Sequence, residues 1–162
     1  MNTGDALQGR IAQWREAFDR AFADPLPEPG PAPIDYLGLS LAGQPHALRL
    51  AELATLQALE GSPLPYPGAP PQLLGLIALR GKVLPLFDLQ ALLGLGPGQR
   101  PTWLVLPRNA ALALAFEHFD GHWRLPPSAC VLSPQGHVLR CAEQQRPLID
   151  LSRVIAQLAP PA

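Results

Sequence analysis

Lysine is nearly missing from this 162-residue chain: Lys82 stands alone beside eleven scattered arginines. Twelve basic residues face thirteen acidic ones, so the formal charge is −1. A binder that tracks phosphates needs a basic stripe, and none is present. Aromatic residues are only 6% of the chain, and without a basic groove they make a poor stacking platform for single strands. Long apolar runs are also missing. The longest are Leu73–Leu79 and Ala110–Phe116, far short of the ~18 residues that span a bilayer. A basic segment followed by an apolar one does not open the chain, so no secretory leader is expected at this end. Cysteine is limited to Cys130 and Cys141, which suit an intracellular, cytoplasmic protein with buried thiols. These features predict no nucleic-acid partner and no direct insertion into a membrane.

Signatures of catalysis are equally scarce. Gly38-Leu39-Ser40-Leu41-Ala42 fails the nucleophile-elbow pattern at its last position. Gly94-Leu95-Gly96-Pro97-Gly98 is followed by Gln99, and no Lys-Ser/Thr comes after it. It is a loop and not a phosphate cradle. His118, His122, His137, Cys130 and Cys141 have spacings that match no zinc pattern. The expectation is no metal, no cofactor and no enzyme. The alternative reading is a small-ligand-binding or enzymatic β-barrel domain, which would show convergent polar groups in a pocket.

Proline and glycine are abundant, at 21 and 14 residues, and unevenly placed. Every second residue from Pro25 to Pro33 is proline. Each ring fixes φ and removes a donor, so residues 24–33 read as a polyproline II linker about 30 Å long. Before it, Leu7, Ile11, Trp14, Phe18 and Phe22 recur at helical spacing. They define an amphipathic helical extension over residues 1–23. Its apolar face either folds back on the domain or docks on a partner, as a helix in a groove does.

Residues 34–162 read as one mostly β domain. Tyr36–Ala42 and His46–Leu53 form a hairpin around Gly43-Gln44-Pro45. Residues 54–72 read as a loop with a helical turn over Leu53–Leu59. Leu73–Leu79 and Val83–Phe87 form a second hairpin, with Gly81 free to take positive φ. Strands are expected at Trp103–Leu106, Ala111–Phe116, His122–Leu125, His137–Cys141 and Pro147–Ile149, with a turn at Asp120-Gly121. An internal repeat organises the domain. Pro85-Leu86-Phe87-Asp88-Leu89 returns 62 residues later as Pro147-Leu148-Ile149-Asp150-Leu151. Each copy is an apolar strand, an aspartate and an amphipathic turn. Asp88 and Asp150 are read as structural cap residues, because a carboxylate accepts the free N–H groups of a first helical turn.

The stretch Leu48–Leu95 resembles the CheW-like family of chemotaxis coupling proteins. The matching pieces are Leu50-Ala51-Glu52-Leu53, Leu64-Pro65, Leu74-Gly75-Leu76-Ile77-Ala78-Leu79-Arg80-Gly81, Val83-Leu84-Pro85-Leu86-Phe87-Asp88-Leu89 and Leu93-Gly94-Leu95. Ala78 stands where the family usually has Asn. The resemblance extends more thinly over residues 36–158, where Phe116-Glu117 replaces a usual Val-Asp. It implies two intertwined five-stranded SH3-like barrels with short helices. It implies a non-catalytic scaffold or adaptor, at receptor arrays on the inner membrane, in a chemotaxis or twitching-motility system. Its implied partners are a methyl-accepting chemoreceptor, a CheA-type histidine kinase and other CheW-like domains. The contact residues it points to are Glu52, Arg80, Gly81 and Lys82, with Glu52 and Arg80 as an ion pair.

Overall fold

Short strands, several of them apolar and buried along continuous runs, build this fold. The computed structural model describes residues 13–16, 30–141 and 144–158. The chain divides into two compact units, Met1–Ala32 and Pro33–Ala162. In the first, residues 13–16 are helical and Trp14 is exposed. Leu7, Ile11, Phe18 and Phe22 lie outside the described residues.

The second unit starts with the hairpin β1 (Ile34–Leu41) and β2 (Gln44–Arg49), followed by a 3-10 turn at Leu50–Glu52. Then come β3 (Leu53–Ala58), β4 (Leu73–Leu79), β5 (Lys82–Asp88) and the short helix α1 (Leu89–Leu92). Next are β6 (Trp103–Pro107), β7 (Ala113–Phe116) and β8 (His118–Leu125). A 3-10 turn at Pro127–Ala129 leads to β9 (Cys130–Ser133), β10 (Gly136–Cys141), β11 (Gln144–Pro147) and the helix α2 (Leu151–Ala156).

The middle of the chain forms one five-stranded sheet in the order β3-β6-β7-β5-β4. The two ends of the domain form the other half. There β2-β1-β8 and β11-β10-β9 are three-stranded sheets, linked where Ala47 bridges Leu148 and accepts the Ile149 N–H at 2.9 Å. The outer half therefore encloses the middle half in sequence, which is what makes the two barrels intertwined. Each has its own small core. Leu86, Leu104, Ala113 and Ala115 fill the middle one, and Tyr36, Ala47 and Leu139 the outer one. A larger cluster joins them. It takes Leu37, Leu39 and Leu48 from the outer half, Val105, Leu114 and Phe116 from the middle, and Leu89, Leu151 and Val154 from the two helices. Leu89 and Leu151 occupy matching places in the repeat, and both are buried there.

Several sequence expectations are corrected. Residues 53–58 are strand β3, paired with β6 from Leu53↔Pro107 to Ala58↔Trp103, and not a helical turn. Ala, Leu and Gln favour helix locally, but the open edge of β6 offers a full ladder of backbone partners, and tertiary pairing overrides propensity. Asp120-Gly121 is not a turn. Both residues lie inside β8, and the step they cause is a bulge, opposite Gly38 and Leu39 of β1. The first hairpin turns at Ala42-Gly43 rather than Gly43-Pro45, with both residues at positive φ. That is the two-residue pattern that suits strand twist. The strand expected at Pro147–Ile149 ends at Pro147, and β9 had no sequence signal. Gly38 answers to a close approach: a Cβ there would sit 1.8 Å from the Trp123 ring.

Candidate functional site

The 3-10 turn Leu50–Glu52 carries the chain from the outer half into the middle half, and Arg108 clamps it. The Arg108 backbone N–H donates to the Glu52 carbonyl at 2.9 Å, and its Nε donates to the Ala51 carbonyl at 2.8 Å. Two depressions share Arg108. One, of about 430 Å³, is lined by Lys82, Leu84, Leu106 and Ala110 among others. The second, of about 380 Å³, is lined by Ile34, Asp35, Leu50 and Ala51 among others. The pair presents an apolar floor with cations along it, and Asp35 at the far end. Asp35 also accepts from, or pairs with, His122 Nε2 at 2.9 Å.

Glu52 is half-buried at the turn. Its Oε1 lies 3.7 Å from Arg49 Nη1, a charge contact too long for a good hydrogen bond. Its Oε2 is buried and has no hydrogen-bond partner. Burial pushes the Glu52 carboxyl above its ordinary value. Arg49 opposes the shift, and Asp150 adds to it. The ion pair expected between Glu52 and Arg80 is not formed, because the partner of Glu52 is Arg49, three residues earlier on the same turn. Arg80 stands instead in the exposed turn of the β4–β5 hairpin.

Arg80 and Gly81 make the two-residue turn of the β4–β5 hairpin, at φ 48° and 75°. Positive φ at a non-glycine such as Arg80 is unusual, and Gly81 carries the second position without strain. The structure thus brings Lys82 and the Glu52 turn onto the two sides of Arg108, and leaves Arg80 and Gly81 at the exposed hairpin tip. Arg108 had no motif to mark it. It follows Pro107 in a stretch read as a turn, and only the pairing of β3 with β6 places it against Ala51.

The two repeat aspartates sit at helix starts. Asp88 is 3% exposed. Its Oδ1 accepts from the N–H groups of Gln90 at 2.9 Å and Ala91 at 3.3 Å, and its Oδ2 accepts from Gly98 N–H at 2.7 Å. Asp150 accepts from Arg153 N–H at 3.0 Å. Both carboxylate oxygens of Asp88 are thus engaged by backbone donors. A polar groove next to α1, lined by Gln90, Gln99, Arg100, Thr102, Glu117 and His118 among others, is widely open. Among the described residues, no three His, Cys, Asp or Glu side chains gather as a metal set.

A second cluster carried no signal in the sequence. Arg146 Nη1 donates to Asp120 Oδ2 at 2.6 Å, with the two side chains 7% and 15% exposed. Its guanidinium lies 4.6 Å from the centre of the Trp123 ring, and Ser40 Oγ donates to Asp120 as well. This tie fastens β11 to β8 and β1, across the gap between the two outer sheets.

The fold and this site define a two-barrel β domain held together by a shared core and exposing shallow grooves. A CheW-like domain model matches residues 35–130, which is more than half of the chain, so the protein belongs to the CheW-like domain family. Among solved structures it is similar to the scaffolding protein TtCheW from Thermoanaerobacter tengcongensis. The identity is 17% and the TM-score 0.64, over 74% of this chain and 89% of that one. At that identity the likeness is one of fold. No curated protein matches the chain. Among the described residues, no helix is long and apolar enough to cross a membrane.

Proposed function

We propose that this chain is a non-catalytic chemotaxis adaptor. It couples the cytoplasmic helical tip of a methyl-accepting chemoreceptor to a CheA-type histidine kinase, with other CheW-like domains as further partners. The observation that carries this reading is the CheW-like match over residues 35–130. The local chemistry agrees with it. The buried Asp88 carboxylate is committed to three backbone N–H groups, and the grooves beside Arg108 are shallow and apolar with cationic edges. Such surfaces read a partner helix by shape and by its carboxylates. In this reading Glu52, Arg80, Gly81 and Lys82 mark the partner-facing side, and Arg108 joins them.

The test is capture of purified receptor-tip and kinase fragments by the full chain. The wild type is expected to hold both. Arg80→Glu and Arg108→Glu should each weaken receptor capture by about tenfold, as expected when one desolvated charge pair across an interface is broken, while circular dichroism stays native. Failure of the wild type to hold either fragment would sink the adaptor reading.

A further inference from the structure

The groove beside α1 lies where the two halves of the domain meet, and hydrogen bonds set its walls. Ala42, in the turn between β1 and β2, and His118, at the start of β8, come from the outer half. Gln90 of α1 and the loop that leads from α1 to β6 come from the middle half. That loop is pinned at three points. Gly98 N–H donates to Asp88 Oδ2 at 2.7 Å, Gln99 N–H donates to Glu117 Oε1 at 2.9 Å, and the Thr102 hydroxyl donates to the Glu117 carbonyl. Gln90 is 6% exposed. Its Oε1 accepts the Ala42 N–H at 2.9 Å and so ties the halves together, while its Nε2 stands 3.4 Å from the Pro97 carbonyl. That second contact is long, so the amide keeps donor capacity. The groove holds about 710 Å³, within the range of small-molecule sites. It shares no lining residue with the two depressions beside Arg108.

Its lining is polar and carries both signs of charge. Ala42 and Pro97 are the apolar members, too little apolar surface to seat a partner helix. Arg100, His118 and Glu117 line it together. Among the described residues, none of these three side chains enters an ion pair. Glu117 accepts from Gln99 through Oε1, which leaves Oε2 uncommitted. Opposite charges that share one groove without pairing suit a ligand carrying the reverse set. The Arg100 fork takes a carboxylate through two parallel bonds. The His118 ring donates one bond to a second carboxylate. Glu117 takes a cationic donor, and an ammonium has three hydrogens to share with Oε2 and its neighbours. Two carboxylates and one ammonium on a small polar frame describe an acidic α-amino acid.

We propose that this groove is a binding site for a free acidic amino acid of the aspartate and glutamate class. Arg100 holds the α-carboxylate, His118 the side-chain carboxylate, and Glu117 Oε2 the ammonium. Because His118 belongs to the outer half and Arg100 to the middle half, the bound ligand bridges the two barrels. The groove is widely open, so water competes for every contact, and a dissociation constant of about 1 mM is expected.

The test is an amide NMR titration of the full chain with L-glutamate at constant ionic strength. Saturable shifts are expected at the Gly98 and Gln99 amides and at the Gln90 side-chain amide. Glutarate, which lacks the ammonium, and L-glutamine, which lacks the second carboxylate, should each bind at least about fivefold more weakly. Arg100→Gln and Glu117→Gln should each weaken glutamate by about tenfold, the loss of one charge-assisted contact. Glu117→Gln keeps an acceptor for the Gln99 N–H. If that variant nevertheless loses its native circular dichroism, Arg100→Gln, on an exposed side chain, decides alone. Shifts that do not saturate overturn the proposal, and so does binding unchanged in folded Arg100→Gln. Glutarate binding as tightly as glutamate would reduce the groove to a plain anion site and overturn it as well. Receptor and kinase capture is read separately, so failure here leaves the adaptor reading standing.

Discussion

Arg146 and Glu52 show how differently one charge behaves according to what surrounds it. Arg146 is buried but provided for: Asp120, the His46 carbonyl at 3.4 Å, Gln144 and the Trp123 ring all face its guanidinium, and only Nε lacks a partner. Removing one side of a buried pair strands the other. Arg146→Met is therefore expected to cost about 3 kcal/mol, the low end for such pairs, because Asp120 keeps Ser40. Asp120→Asn combined with Arg146→Met should cost less than the sum of the two single changes. Urea denaturation of the three variants checks this, and strict additivity would contradict the tie. Glu52 is the opposite case. Its folded pKa is raised by burial, so the folded state holds its proton to higher pH than the unfolded chain does. Its contribution is favourable below the ordinary Glu value and is lost as pH rises through the folded value. Glu52→Gln abolishes that loss. The melting temperature of Glu52→Gln relative to wild type should climb between mildly acidic and neutral pH, and a flat difference across that range would show the carboxyl to be unperturbed.

At the scale of elements, the repeat was the most legible feature, and for a physical reason. The aspartate and the amphipathic turn follow from neighbours in sequence, since the carboxylate takes N–H groups two and three residues on; the apolar run before them is a strand in the first copy, but in the second the strand ends at Pro147. The hairpin at Arg80-Gly81 was legible on the same grounds. What could not be read were contacts made across many residues. The strand at Leu53–Ala58 exists because β6 lies beside it, the bulge at Asp120-Gly121 because Gly38 faces it, and the clamp on Glu52 because Arg108 returns 57 residues after Ala51. Asp88 and Asp150 looked equal in sequence, but their surroundings separate them. Asp150 accepts one N–H at an exposed helix start, so Asp150→Ala should cost about 0.5–1 kcal/mol, an ordinary cap. Asp88 is buried and also holds the Gly98 N–H of the following loop. Its removal orphans a third donor, and Asp88→Ala should cost about 1–2 kcal/mol more than its counterpart. Equal losses in thermal or urea unfolding would mean the loop bond contributes nothing.

For the whole molecule, the question is whether the domain needs what precedes it. Among the described residues, the three apolar clusters draw their members from Ile34 to Leu158, inside the unit Pro33–Ala162. The shared cluster is what makes this unit one object, since Leu37 and Leu48 of the outer half pack with Val105 and Phe116 of the middle half. The Trp103 and Phe119 rings, 5.3 Å apart, join β6 to β8 across the same boundary. Such a core predicts one cooperative transition for both barrels rather than two. A fragment covering residues 33–162 is therefore expected to fold and to melt in a single step, with intrinsic fluorescence and far-ultraviolet circular dichroism giving the same midpoint. The prolines from Pro25 to Pro33 offer no regular run of donors to a sheet, so cutting there breaks no ladder. The sequence before them has no counterpart in either copy of the repeat. A fragment that stays unfolded would show that the residues before Pro33 complete the core and that the boundary lies elsewhere. Two separated midpoints would show instead that the barrels are independent and that the shared cluster does not bind them into one unit.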